Sequence, residues 1–172
     1  SREGQQKKIA QQGQGAHDVS NNTIRNRQAA ASGVKVDSVD ADRGEAEITN
    51  RHGTFRLRIP LATARRPGEV FVQTQDGITN GLLFQPALID RNRAVQLNTS
   101  HPYYHKVYVP NLNRGVTLQG LDTLMWALCV AELTTVQENT ARMFEDMRYE
   151  VSRILAQLVE SLPEPETDQH GD

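Results

Sequence analysis

The stretch from Thr117 to Leu162 constrains the fold more than any other part of the chain. From Leu121 onward it holds no Gly or Pro, and its apolar residues recur at helical spacing, the mark of an amphipathic helix burying one stripe. In the first half Leu118, Leu121, Leu124, Leu128 and Ala131 form the expected core face, broadened by Met125 and Trp126. In the second half Phe144, Met147, Val151, Ile154 and Leu158 step by three and four, and Leu155 widens the row. Between them Thr134 to Thr140 interrupts the pattern with β-branched Thr and a capping-type Asn139, which weaken a helix there. An unbroken helix would run for about 60 Å at roughly 1.5 Å per residue. Ordinary helices are much shorter, so the expectation is a helical hairpin, with one long broken helix as the alternative.

Upstream the period changes from helical to two. Val34, Val36 and Val39 mark a short strand; Ala46 and Ile48 then alternate with Glu45, Glu47 and Thr49. After the polar turn Asn50-Arg51-His52-Gly53, Phe55, Leu57 and Ile59 alternate with Thr54, Arg56 and Arg58, a β-hairpin signal with one packed and one wet face. Glu45 and Glu47 are expected to oppose Arg56 and Arg58 across the pair. Further strands are expected at Glu69–Thr74, at Leu82–Ile89, where Pro86 points to an edge or a bulge, and at Ala94–Asn98. The fold class expected is α+β: a small antiparallel sheet of hairpins packed on the C-terminal helices.

The remaining segments are polar. Residues 1–33 offer only Ile9, Val19 and Ile24 as large apolar anchors, too little burial to offset chain entropy. They are expected to be a flexible arm that orders against something else, with a short helix over Asn21–Ala31 stopped by Gly33. Residues 34–115 are the β-rich part, 116–162 the helical region and 163–172 an acidic, disordered tail. A start at Ser1 inside such an arm fits a segment of a longer protein.

Composition narrows the function. The chain has 172 residues, a net charge of −2 and a pI near 6.2, so no global basic field recruits nucleic acid. A local patch of Arg56, Arg58, Arg65, Arg66, Arg91 and Arg93 leaves a nucleic-acid-binding role as an alternative. The single Cys129 has no disulfide partner, which favours a reducing, cytoplasmic setting, and no apolar run of membrane-spanning length occurs. Cys129 also lacks a neighbouring base to activate it. His101 and His105 stand at a spacing that can clamp a metal, but Pro102 lies between them and no third ligand is near. Histidines bonding the backbone of a turn are the better reading, and neither metal nor cofactor is expected. A free-standing enzyme built on His101, His105 or Cys129 ranks last, because no nucleophile, base and orienting group can be assembled.

The segment Asn98 to Pro110, NTSHPYYHKVYVP, together with Leu121–Leu128, Ala131–Leu133, Phe144–Arg148 and Val151–Leu155, resembles the C-terminal region of prokaryotic ATP-binding proteins of the GHKL superfamily. That superfamily includes gyrase, heat-shock chaperone, histidine kinase and MutL-type ATPases. The resemblance implies a part lying downstream of a nucleotide-binding domain. The superfamily's acidic-Asn box and Asp-x-Gly-x-Gly lid motif are missing here: Asp76-Gly77, Asn80-Gly81 and Glu138-Asn139 do not supply the spacings. The chain alone is therefore expected not to hydrolyse ATP. The function expected is an interaction, dimerisation or regulatory domain of a larger ATP-dependent protein. Its partner surface would be Phe144, Met147, Val151, Ile154, Leu155 and Leu158, and its partner a second copy or the parent's other domains, with no membrane involved.

Overall fold

A computed structural model describes residues 15–166; the rest of the arm and the end of the acidic tail lie outside the described residues. The chain folds as α1 (Asp18–Arg25), β1 (Lys35–Asp40), β2 (Glu45–Asn50), β3 (Gly53–Arg58), β4 (Leu61–Ala62), β5 (Val72–Gln75), β6 (Phe84–Ile89), β7 (Asn92–Asn98), α2 (Gly115–Thr135) and α3 (Ala141–Leu158). The architecture is α+β, as the change of period predicts.

The strands form two sheets. In the first, β1-β2-β3 is an antiparallel meander, and its register sets Glu45 against Arg58 and Glu47 against Arg56. Ala46, Ile48 and Leu57 point inward from it. The second has the order β4-β6-β7-β5. Only β6 and β7 make a hairpin in it; β4 joins β6 and β5 joins β7 in parallel. Pro86 sits within an interior strand, yet β4 is only two residues long and pairs with Leu88 and Ile89 alone. The missing Pro86 N–H thus falls where β6 has no neighbour to bond. The β6–β7 turn puts Asp90 at φ 47° and Arg91 at φ 67°, the left-handed pair of a tight hairpin turn that Gly or Asn usually occupies. Arg91 is held there by its guanidinium, which donates to Asp37 O at 3.1 Å.

Helix α2 lies across β6 and β7 and serves two apolar cores. Leu118, Met125, Trp126, Cys129 and Val130 join Phe71, Val72, Phe84, Val95, Leu97, Tyr104 and Tyr108 in one. Leu133, with Val136 just beyond the helix, joins Val34, Ile48, Leu57, Ile59 and Leu88 in the other. Trp126 is an anchor, edge-on to Phe71 and donating Nε1–H to Arg93 O at 2.9 Å. The expected core face needs correction, because Leu124 and Leu128 are 56% and 47% exposed and Ala131 is exposed too. The helix is rotated so that Asp122, fully buried, faces inward in their place.

The break between helices falls at residues 136–140, within the predicted interruption. Thr134 and Thr135 turn their hydroxyls back to Val130 O and Ala131 O, and Asn50 Nδ2 donates to Leu133 O and Val136 O at 2.9 and 2.8 Å. A β2 side chain therefore caps the end of α2. The chain crosses this end again at Gly33, where a Cβ would lie 2.6 Å from Thr134 Cγ2.

From residue 15 the arm is not free. Helix α1 docks on the body through buried His17, Ser20, Asn21 and Ile24, and the short 3-10 turn Gln28–Ala31 follows with Ala31 buried. The sequence undercounts this anchoring because most of it is polar. Asn50→Ala removes the α2 cap while leaving two carbonyls unsatisfied, so a loss of about 2 kcal/mol is expected. Urea unfolding should show a lower midpoint with an unchanged slope.

Candidate functional site

Two features stand out from the ordinary apolar packing, one inside the molecule and one on its surface. The inner one is a polar knot. His17 Nδ1 lies 2.7 Å from Asp122 Oδ2, and Ser20 Oγ donates to that same oxygen at 2.6 Å. His17 Nε2 lies 2.9 Å from the hydroxyl of Tyr104, whose ring stacks on Tyr108 at 4.9 Å between centroids. All five residues are at most 2% exposed. Burial, reinforced by the Asp122 carboxylate, holds both phenols well above the ordinary tyrosine range.

One turn further along α1, Asn21 behaves as a short piece of neighbouring strand. Its Oδ1 accepts from Phe71 N and Val72 N at 3.0 and 2.9 Å, and its Nδ2 donates to Val72 O at 3.0 Å. Arg66 closes the outside by pairing with Asp18 at 2.7 Å.

The knot contains the residue types of a hydrolytic triad but lacks its geometry. Ser20 bonds the carboxylate and not the imidazole, and no substrate can reach atoms so deeply covered. It is a structural tie: Asp122 would be an uncompensated buried charge without His17 and Ser20. Asp122→Ala strands both partners, so a loss of roughly 3 kcal/mol or more is expected. Thermal unfolding followed by circular dichroism checks it.

The segment Ser100–Pro110 also points inward. Tyr104 and Tyr108 lie one turn apart on a π-helical turn, as the spacing predicts for a packing anchor. His101 bonds backbone on both ring nitrogens: Nδ1 accepts from Tyr103 N at 3.0 Å, which leaves Nε2 to donate to Ser152 O at 2.8 Å. Ser152, the one fully buried residue of α3, in turn accepts from Leu83 N at 2.9 Å. Nearer its start, α3 is held by Arg148, which pairs with buried Glu132 of α2. Burial raises the Glu132 carboxyl above its ordinary range, and Arg148 opposes that shift. His105 and Lys106 grip Glu164 at 2.7 and 2.9 Å, so the tail is fixed at its first acidic residue.

Burial holds His101 below its ordinary pKa, opposed by the bond to Ser152. The unfolded chain therefore takes up this proton first. The stability contributed by neutral His101 is present above about pH 6.5 and is lost as the pH falls below it. His101→Gln, which does not titrate, is expected to flatten the fall in urea midpoint between about pH 7.5 and 5.5. Equal slopes in the two proteins would rule this out.

Four of the six arginines singled out by the sequence are engaged in the fold. Arg65 donates to Thr74 O and pairs with Glu69, while Arg66 pairs with Asp18 and Glu69. Arg91 bonds Asp37 O, and Arg93 donates to Ala31 O at 3.1 Å from a site whose burial lowers its pKa. Arg56 and Arg58 remain exposed on β3. Cys129 is 1% exposed and its thiol is pushed well up by burial, a small core residue and not a nucleophile.

The surface feature is on the C-terminal helices. Of the six α3 residues named as a partner surface, Phe144, Val151 and Leu155 are half-buried against the molecule's own cores. Met147, Ile154 and Leu158 are 53%, 44% and 65% exposed. On α2, Leu124 and Leu128 are exposed as well. Helix α2 is also long and apolar enough, by length and composition, to cross a membrane, but 44% of its best window is buried against the fold. With Asp122 and Glu132 on its inner side, it is built as the core helix of this α+β domain. No family model matches the chain, and neither a curated protein nor a solved structure matches it. The sequence reading missed His17, Ser20 and Asp122. The available signal was Asp122 itself, the only charged residue between Arg114 and Glu132.

Proposed function

We propose that this chain is a non-catalytic interaction and regulatory module of a larger ATP-dependent protein, as its resemblance to the C-terminal region of GHKL-superfamily proteins implies. One contrast carries the reading. His17, Ser20, His101, Asp122 and Cys129 are buried in the molecule's own contacts and exposed His105 is paired with Glu164, while large apolar side chains of the C-terminal helices face water. A module that spends its reactive groups on stability and leaves apolar surface uncovered is equipped for binding other protein surfaces. The buried free thiol of Cys129 fits the reducing cytoplasm. A nucleic-acid role is less supported, because only Arg56 and Arg58 of its six arginines stay outside the fold's own bonds.

Deletion of the segment from the full-length protein that carries it tests the reading. The expected result is an altered ATP turnover or altered assembly of the parent, with no ATP hydrolysis by residues 1–172 alone. An unchanged parent, or hydrolysis by the isolated chain, sinks it.

A further inference from the structure

A sheet edge carries a row of backbone N–H and C=O groups that its own sheet does not bond, and an extended chain can pair with them. Three of the four edges here are closed. β1 shifts register between Val36 and Ser38, and Arg91 donates to Val36 O and Asp37 O. The outer groups of β5 are taken by Asn21 at Phe71 and Val72 and by Arg65 at Thr74 O. β4 is two residues long, and the stretch of β6 beyond it presents Pro86, which has no N–H. The outer edge of β3 has no such device. Ile59 N donates to Gly44 O beside β2, whereas Pro60 O turns the other way to accept from Leu88 N. Backbone groups alternate sides along a strand, so those of Thr54, Arg56 and Arg58 point away from β2. None of them has a hydrogen bond among the described residues. β3 holds neither a Pro nor a register shift. The space beside its first half is open, a depression of about 410 Å³ lined by His52, Thr54, Phe55, Gln137, Glu138 and Asn139.

Charge alone guards β3, and charge selects the occupant. Arg56 and Arg58 are exposed on its wet face and bond nothing among the described residues, although Glu47 and Glu45 stand opposite them on β2. Two β3 edges pairing antiparallel about a two-fold would bring Arg56 directly or diagonally against its own counterpart in both registers that engage most of the strand. A second copy is therefore repelled. An acidic strand is attracted, since carboxylates at alternate positions fall opposite Arg56 and Arg58, with Arg51 and His52 exposed at the turn before them. The residues between those carboxylates face the other side of the sheet. There they meet half-buried Phe55, with exposed Glu138 and Glu145 on the helical rim, so they must be uncharged. We infer that the outer edge of β3 binds an extended segment of another protein, added as a fourth strand to the meander, in which acidic residues alternate with uncharged β-branched ones. This names the kind of partner for the proposed interaction module, and rests on that reading for the partner being a protein.

Fluorescence anisotropy of a labelled synthetic peptide, Ser-Glu-Val-Glu-Val-Glu-Ser, titrated with the whole chain gives the test. Saturable binding is expected, and R56Q/R58Q should weaken it roughly fivefold or more. The melting temperature of that variant should be unchanged, since neither arginine bonds within the fold. A peptide with Lys in place of Glu should fail to bind the unmodified chain but bind R56E/R58E; if that variant melts early, R56Q/R58Q decides the question of charge. Attraction between charges needs no peptide backbone, whereas strand addition does. N-methylation of the glutamate amides should abolish binding if the strand adds antiparallel, and N-methylation of the valine amides if it adds parallel. Hydrogen exchange at the amides of Thr54, Arg56 and Arg58 should slow in the complex. Absence of binding, binding indifferent to both methylations, or full binding by R56Q/R58Q overturns the inference, as does a dimer of the chain that the peptide dissolves. A failed peptide beside an altered parent on deletion sinks this inference alone and leaves the module reading standing.

Discussion

A carboxylate with no access to water sets the terms for the N-terminal half of this molecule. Asp122 sits on the inner side of α2, where a bare charge would cost several kcal/mol, and its compensation comes from residues about a hundred positions earlier. His17 and Ser20 can reach it only if α1 lies along α2. Once α1 is there, Asn21 satisfies the outer edge of β5 and Ile24 covers Phe71 and Trp126. One ionisable group therefore converts a polar arm into part of the core. The same tie holds Tyr104, and with it the turn from which His101 reaches α3.

The α2 helix reverses the usual rule on its two sides. A polar residue is buried and leucines are left outside. Asp122 is engaged at Oδ2 by His17 and Ser20 while its Oδ1 is buried without a partner, and single exposed leucines are ordinary on protein surfaces. Leu124 and Leu128 of α2 and Met147, Ile154 and Leu158 of α3 stay exposed while the polar groups converge inside.

Much of the fold was legible because it follows from periodicity. The β2–β3 register, the interruption between the helices and the anchoring role of Tyr104, Tyr108 and Trp126 all rest on local pattern and residue size. What escaped was non-local or polar. The parallel edge strands β4 and β5 depend on crossovers that no short window encodes. The rotation of α2 could not be read from Leu spacing, since Leu118, Leu121, Leu124 and Leu128 mark a stripe wide enough to be buried in either of two phases. Burial of Asp122 decides between them, and that depends on His17. The arginines looked like a patch because a sequence lists charges without their partners, and Arg65, Arg66, Arg91 and Arg93 each find theirs within the fold.

The two apolar cores do not share buried side chains, yet they share supports. Helix α2 sends Met125, Trp126 and Cys129 into one and Leu133 into the other, and β6 does the same with Phe84 and Leu88. Asn50 ties the meander to the far end of that helix. Neither layer can melt while keeping the other's scaffold intact, because the element to be lost is common to both. Cooperativity here has a material basis: a single spine makes what looks like a sheet beside a helical bundle into one thermodynamic unit.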